Sequence, residues 1–186
     1  MRYSASHKQE TREKLLDSSA ALAKKEGFAS VGVDGLMKAI GMSGGAFYSH
    51  FASKDELFSS IVERELSHSL ERLNGNGGQS RERLDRCLKF YLSMAHVEQS
   101  EAGCALPSLG AEIARSDVAV RQQAQDWICR LQAGWAATLG SDDLAWAILS
   151  QCIGALVVAR MMVSSQVQAQ VLSSNYEVLS QQLSSL

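Results

Sequence analysis

The stretch from Gly27 to Lys54, GFASVGVDGLMKAIGMSGGAFYSHFASK, constrains the fold more than any other part of the chain. Gly27 and Gly41 are points where the backbone readily turns left-handed, so each is placed to end a helix. Val33, Leu36, Met37 and Ile40 put an apolar stripe on the helix between them, and Phe47 and Phe51 lie one turn apart on the next. Met42 plugs the gap between those two helices, and Ser43 stands where it can cap the second. Ser53, followed by Glu56 just before an apolar run, is a capping box that opens a longer helix.

The remainder reads the same way. Helices are expected over 8–26, 33–40, 43–51, 53–73, 80–98, 105–115, 117–139, 142–162 and 167–185, about nine in all, with no strand pattern. A single proline, Pro107, in 186 residues suits such a chain, because proline interrupts helix interiors. Hydrophobic residues make up 46%, enough for a sizeable core. The fold class is therefore all-α. A three-helix head over 1–53 precedes a helical body over 54–186, and a glycine-rich link at 74–78 lies within the body. The helix at 142–162 is apolar nearly all round and belongs at the centre or at an interface. The last helix carries Leu172, Tyr176, Leu179, Leu183 and Leu186 on one side, with glutamine and serine elsewhere.

Several function classes recede on composition and spacing. The apolar run Leu144–Ala159 falls short of the roughly 20 residues that span a bilayer, and the polar N-terminus lacks a signal-peptide core. No membrane association is expected, and the location expected is cytoplasmic. Cys87, Cys104, Cys129 and Cys152 are widely spaced with no paired histidines, so neither a zinc site nor a disulfide framework is implied. No metal and no cofactor are expected. Gly41-Met42-Ser43-Gly44-Gly45 matches G-x-S-x-G, but that elbow needs a strand before the serine, and here a helix precedes it. An enzyme is not expected.

The head favours DNA. Residues 1–54 carry eight Lys/Arg against five Asp/Glu, and residues 55–186 carry ten against fifteen, so a basic head sits on an acidic body. With Phe47 and Phe51 inward, Ser43, Gly44, Gly45, Tyr48 and Ser49 face outward. A tyrosine exposed on a short helix of small residues is more easily explained as a contact to base or phosphate than as packing. The residues thus read as a helix-turn-helix with double-stranded DNA as partner.

Gly27-Phe28, Gly41-Met42-Ser43, Phe47-Tyr48, His50-Phe51 and Lys54-Asp55-Glu56-Leu57, taken together, resemble the TetR family of transcriptional regulators over about residues 8–58. The resemblance implies a homodimer, with a DNA-binding domain at the N-terminus and a C-terminal domain that holds a small-molecule inducer and the dimer interface. By position it implies that Tyr48 and His50 contact the DNA backbone. Lys54 would hold a phosphate at a helix N-terminus, and Ser43, Gly44, Gly45 and Ser49 would occupy base-reading positions. Val31 and Gly32 depart from the hydroxyl residues usual there, and the paired glycines leave little side chain for base readout. Arg2 and Lys8 on a flexible arm, where His7 also falls, would supplement it.

In the body, the dimer interface is expected from helices 142–162 and 167–185. An inducer pocket is expected from Phe90, Met94, Cys104, Trp127 and Leu131, any one of which also reads as ordinary core. The run GCALPSLGAEIARSDVAVR resembles a subgroup of the family with Gly-Cys, Leu, Glu-x-Ala and Asp in this order, some members of which respond to electrophiles or oxidants through cysteine. Cys104 at a helix start therefore has two readings, a thiol sensor or a small buried residue. The expectation is a repressor released by a small molecule, with electrophile or redox sensing through Cys104 as the alternative signal.

Overall fold

The computed structural model describes residues 5–74 and 80–185. Arg2, Leu186 and residues 75–78 of the glycine-rich link lie outside the described residues. Among those described there are nine α-helices, two short 3₁₀ helices and no strand. The head comprises α1 (Ala5–Glu26), α2 (Val33–Ala39) and a 3₁₀ helix at Gly44–Ser49, followed by α3 (Lys54–Asn74). The body continues with α4 (Arg81–Tyr91), α5 (Met94–Glu98), a 3₁₀ turn at Ser100–Ala102, α6 (Leu106–Arg115), α7 (Val118–Leu139), α8 (Asp142–Met161) and α9 (Ser165–Ser184). Helix α3 packs along α7, α7 along α8, and α8 along α9, while α1 rests on α3, α6 and the 3₁₀ turn at Ser100–Ala102.

The punctuation is where the sequence puts it. Gly27, Gly41 and Gly140 all have positive φ, at 84°, 73° and 72°, each in the left-handed region that costs glycine least. The Ser53 hydroxyl accepts from the Glu56 N–H at 3.0 Å, and the Glu56 carboxylate accepts from the Ala52 N–H at 2.6 Å, one residue earlier than a regular capping box. Ser80, Asp117 and Ser141 each cap the helix that follows with a side-chain oxygen.

Two elements differ from expectation. The segment 43–51 is not α-helical but a 3₁₀ helix over Gly44–Ser49, and the Ser43 side chain makes no capping bond. Two adjacent glycines disfavour α-helix by about 1 kcal/mol each relative to alanine, and the tighter i→i+3 turns suffice to swing Phe47 inward. The expected helix 80–98 breaks at Leu92 and Ser93. The Tyr91 carbonyl, which a continuing helix would offer to the Ala95 N–H, instead meets His96 Nδ1 at 2.9 Å. His7 and Lys8 belong to helix α1, not to a flexible arm.

Helix α8 buries Ala145, Ile148, Leu149, Cys152, Ala155, Leu156 and Ala159 along one stripe. Its other side leaves Trp146, Val157, Val158 and Met161 exposed, with Val163, Val167 and Val178 beyond. At 20 residues and mean hydropathy 1.7 it is long and apolar enough to cross a membrane, longer than the apolar run alone led one to expect. The helix thus has one buried side and one apolar side left uncovered.

Candidate nucleic-acid interface

The head is clamped from inside. Leu36, Met37, Phe47 and Phe51 are fully buried, and Met42 returns its N–H to the Met37 carbonyl at 2.9 Å. On that base the short helix presents Ser43, Gly45, Tyr48 and Ser49 to solvent. Tyr48 is 67% exposed and leans edge-on against Phe47. The Ser49 hydroxyl donates to the Ala46 carbonyl, leaving its oxygen free to accept.

The other expected contacts are placed differently. Gly44 is turned toward α2: a Cβ there would lie 1.8 Å from an Asp34 carboxylate oxygen, whereas a Cβ on Gly45 would meet nothing within 4 Å. Gly44 therefore serves close packing, and the outward row is shorter by one position. His50 is half-buried, with Nδ1 inside and without a hydrogen-bond partner among the described residues. Burial lowers its pKa, and Lys8, Arg12 and His7 lower it further. Its ring, Lys8 and Arg12 gather at the N-terminal end of α1, where Arg12 also stacks over Phe51 at 4.1 Å. Lys54 is folded back, its Nζ 4.7 Å from the Phe28 ring centre and 3.4 Å from the Ala29 carbonyl oxygen. Ser43 follows a helix and not a strand, so the hydrolase elbow is absent.

Two contacts that sequence reading missed tie the head to the body, and a third lies within the body. Lys24 of α1, nearly buried, donates to Glu65 of α3 at 2.7 Å and to the Gly103 carbonyl at 3.1 Å. Glu112 of α6 accepts from the N–H groups of Phe28 and Ala29, at 3.1 and 2.8 Å, holding the α1–α2 turn. Arg160 of α8 donates to the His96 carbonyl and the Ser108 hydroxyl, at 2.7 and 2.9 Å. The only sequence signal for Glu112 was its place in the Glu-x-Ala of the subgroup motif. Nothing in the spacing marked Lys24 or Arg160.

Behind the head lies a cavity of about 600 Å³ between the end of α3, α4, α5 and the Ser100–Ala102 turn. Phe90 and Cys104 line it. Met94, Trp127 and Leu131 do not: Leu131 is buried in the core, and Met94 and Trp127 are half-buried against it. At the cavity's buried end, His96 Nδ1 meets the Tyr91 carbonyl while Nε2 accepts the Cys104 N–H at 3.0 Å, which places the ring proton on Nδ1. The Ser69 hydroxyl donates to the Glu65 carbonyl at 2.8 Å, and its oxygen lies 3.8 Å from the Cys104 sulfur. Burial, then the neighbouring Cys104, raises the Tyr91 hydroxyl well above its ordinary pKa and keeps it a proton donor. Burial likewise pushes the Cys152 thiol up to about 12.

Burial holds His96 below its ordinary pKa of 6.5, against a smaller opposing effect of its bond to Tyr91. Below that ordinary value the unfolded chain takes a proton that the fold resists. Stability is therefore full above about pH 6.5 and falls as pH drops through the depressed value. Urea midpoints measured on the descent from neutral pH should fall in the wild type and fall less steeply in His96→Asn.

Residues 15–61 match the family described as bacterial regulatory proteins, tetR family. The HTH-type transcriptional regulator AcrR of Shigella flexneri is 40% identical over 60 residues, which is 32% of this chain and 28% of that protein, so the match spans under a third of AcrR's length. Among solved structures, E. coli NemR in its reduced form superposes with TM-score 0.77 at 21% identity, covering 92% of this chain and 96% of NemR. A TetR transcriptional regulator from Chloroflexus aurantiacus superposes with TM-score 0.78 at 20% identity, covering 96% of both chains. At such identities the structures share the fold. Together with the clamped helix-turn-helix of the head, these findings show that the chain carries the N-terminal domain of the tetR family of bacterial regulatory proteins.

Proposed function

We propose that the chain is a cytoplasmic, homodimeric, DNA-binding transcriptional regulator, a repressor released from its operator by a small molecule. The observation that carries the reading is the outward row Ser43, Gly45, Tyr48 and Ser49 on a head whose inner side is locked by Phe47 and Phe51. Two such heads would enter successive major grooves roughly 34–36 Å apart. The exposed apolar side of α8 and α9 supports pairing through the helices at 142–162 and 167–185, since an apolar patch of that extent on a soluble chain marks an interaction surface. The head at 1–53 serves DNA and the body at 54–186 serves ligand and dimer.

Release is a shift between DNA-competent and incompetent arrangements, driven by a ligand that favours one of them. The cavity wall at Gly103 is bonded to Lys24 of the head, and the neighbouring His96 carbonyl to Arg160 of α8, so a guest that moves this wall pulls on both DNA-reading and pairing elements. Gel shifts with the DNA upstream of the chain's own gene test the DNA role. Tyr48→Ala should weaken binding, and Lys54→Ala should weaken it on all sequences and lower the salt-dependence slope by about 1. Unchanged binding in both variants would overturn the assignment of these residues.

A second reading of the signal, that of the Gly-Cys subgroup, rests on Cys104 at the cavity wall, its sulfur 3.8 Å from the Ser69 hydroxyl oxygen. The relative NemR was solved in a reduced form. Under this reading a mild electrophile frees the wild type from DNA and spares Cys104→Ser; equal release from both would exclude Cys104 as the switch.

A further inference from the structure

We propose, on the basis of the ligand-responsive reading above, that the cavity takes an amphipathic small-molecule anion: an apolar body carrying one carboxylate or similar group. Three guanidinium groups, Arg72, Arg83 and Arg86, line the cavity, and no Asp or Glu does. Arg72 and Arg86 are exposed and Arg83 is half-buried, so the positive charge sits at the mouth. Leu73, Phe90 and Tyr91 supply the apolar wall, with Phe90 78% exposed beside the arginines.

None of the three arginines is in an ion pair among the described residues. Glu82, outside the lining, has its pKa lowered first by the Ser80 hydroxyl and only to a lesser extent by Arg86. An arginine fork prefers a carboxylate partner to a single neutral oxygen. Among the described residues Arg72 donates to such an oxygen, the Ala102 carbonyl at 3.4 Å. An anion at the mouth would draw Arg72 off Ala102, next to Gly103, whose carbonyl holds Lys24 of the head. A cationic or neutral guest would leave that bond in place. The charge of the guest thus bears directly on the segment that joins cavity to head.

Two fluorescent probes with the same rings separate charge from bulk: anilinonaphthalene sulfonate and the neutral phenylnaphthylamine. The wild type should bind the sulfonate at least about tenfold more tightly, and dodecanoate should displace it where dodecylamine does not. Arg72→Gln/Arg83→Gln/Arg86→Gln should lose that preference and keep its affinity for the neutral probe, while the triple lysine variant, which retains charge, should keep the preference. A wild type that binds neither probe, or binds both equally, overturns the assignment, as does a glutamine variant that still prefers the anion. Gel shifts with the same probes separate the two readings. If the sulfonate binds at the arginines but never releases DNA, the ligand-responsive reading fails and the charge preference stands. If a neutral or cationic guest releases DNA, the reverse holds.

Discussion

Lys24→Met is expected to cost about 3–5 kcal/mol of stability, because it leaves the Glu65 carboxylate almost buried with no cation beside it. The side chains of the pair are only 5% and 11% exposed, so water cannot take over the charge. Replacing both by apolar residues of similar size is a different matter, since the desolvation cost of two ions disappears together with their attraction. Lys24→Met/Glu65→Leu should therefore recover most of the loss in urea unfolding. What it should not recover is the bond to the Gly103 carbonyl. The double variant is expected to fold and to bind DNA, yet to respond less to any guest of the cavity. A double variant as unstable as the single one, or one with full response, would remove Lys24 from this role.

Gly103→Ala should lose about 1–3 kcal/mol from overpacking. The backbone there is extended, at φ −82° and ψ −173°, and accepts any residue. The obstacle is the His96 ring, which a Cβ would meet at 2.3 and 2.4 Å. That ring cannot step aside freely, because one nitrogen is bonded to Tyr91 and the other to Cys104. Moving it strands the Cys104 N–H, a buried donor whose loss costs about 1–3 kcal/mol more. Removing the ring removes the clash, so His96→Ala and Gly103→Ala should be strongly non-additive in a double-mutant cycle. Additive losses would show that Gly103 is needed for something other than the ring. The same geometry gives a physical reason for glycine before Cys104.

The head was legible because its determinants are local. Gly27 and Gly41 turn the chain, Phe47 and Phe51 seat the short helix, and Ser53 with Glu56 opens α3, all within a few residues of one another. Even there, the direction of Gly44 depended on Asp34 across the turn, and the conformation of Lys54 on Phe28. The cavity was not legible for a stronger form of the same reason. It lies beside the break at Leu92 and Ser93, where the Tyr91 carbonyl meets His96 in place of a continuing helix, a contact with no periodic signature. Helical spacing through residues 80–98 looked continuous, so Met94, Trp127 and Leu131 were set around a space that lies elsewhere. The three arginines drew no notice because arginines on a polar helix ordinarily face water. Only the fold shows that they face one another's cavity.

The two N–H groups that Glu112 holds have a consequence for the head as a transferable part. Cut after residue 53 and grafted onto another protein, the head would keep its reading row but lose Glu112 from the α1–α2 turn and both acceptors of Lys24. It would also lose Phe58, on which Phe28 stacks at 4.7 Å. A hybrid that is to read the same DNA must therefore bring α3 and α6 along, so that new regulators built from this chain would exchange the effector half beyond α6 and not the head alone.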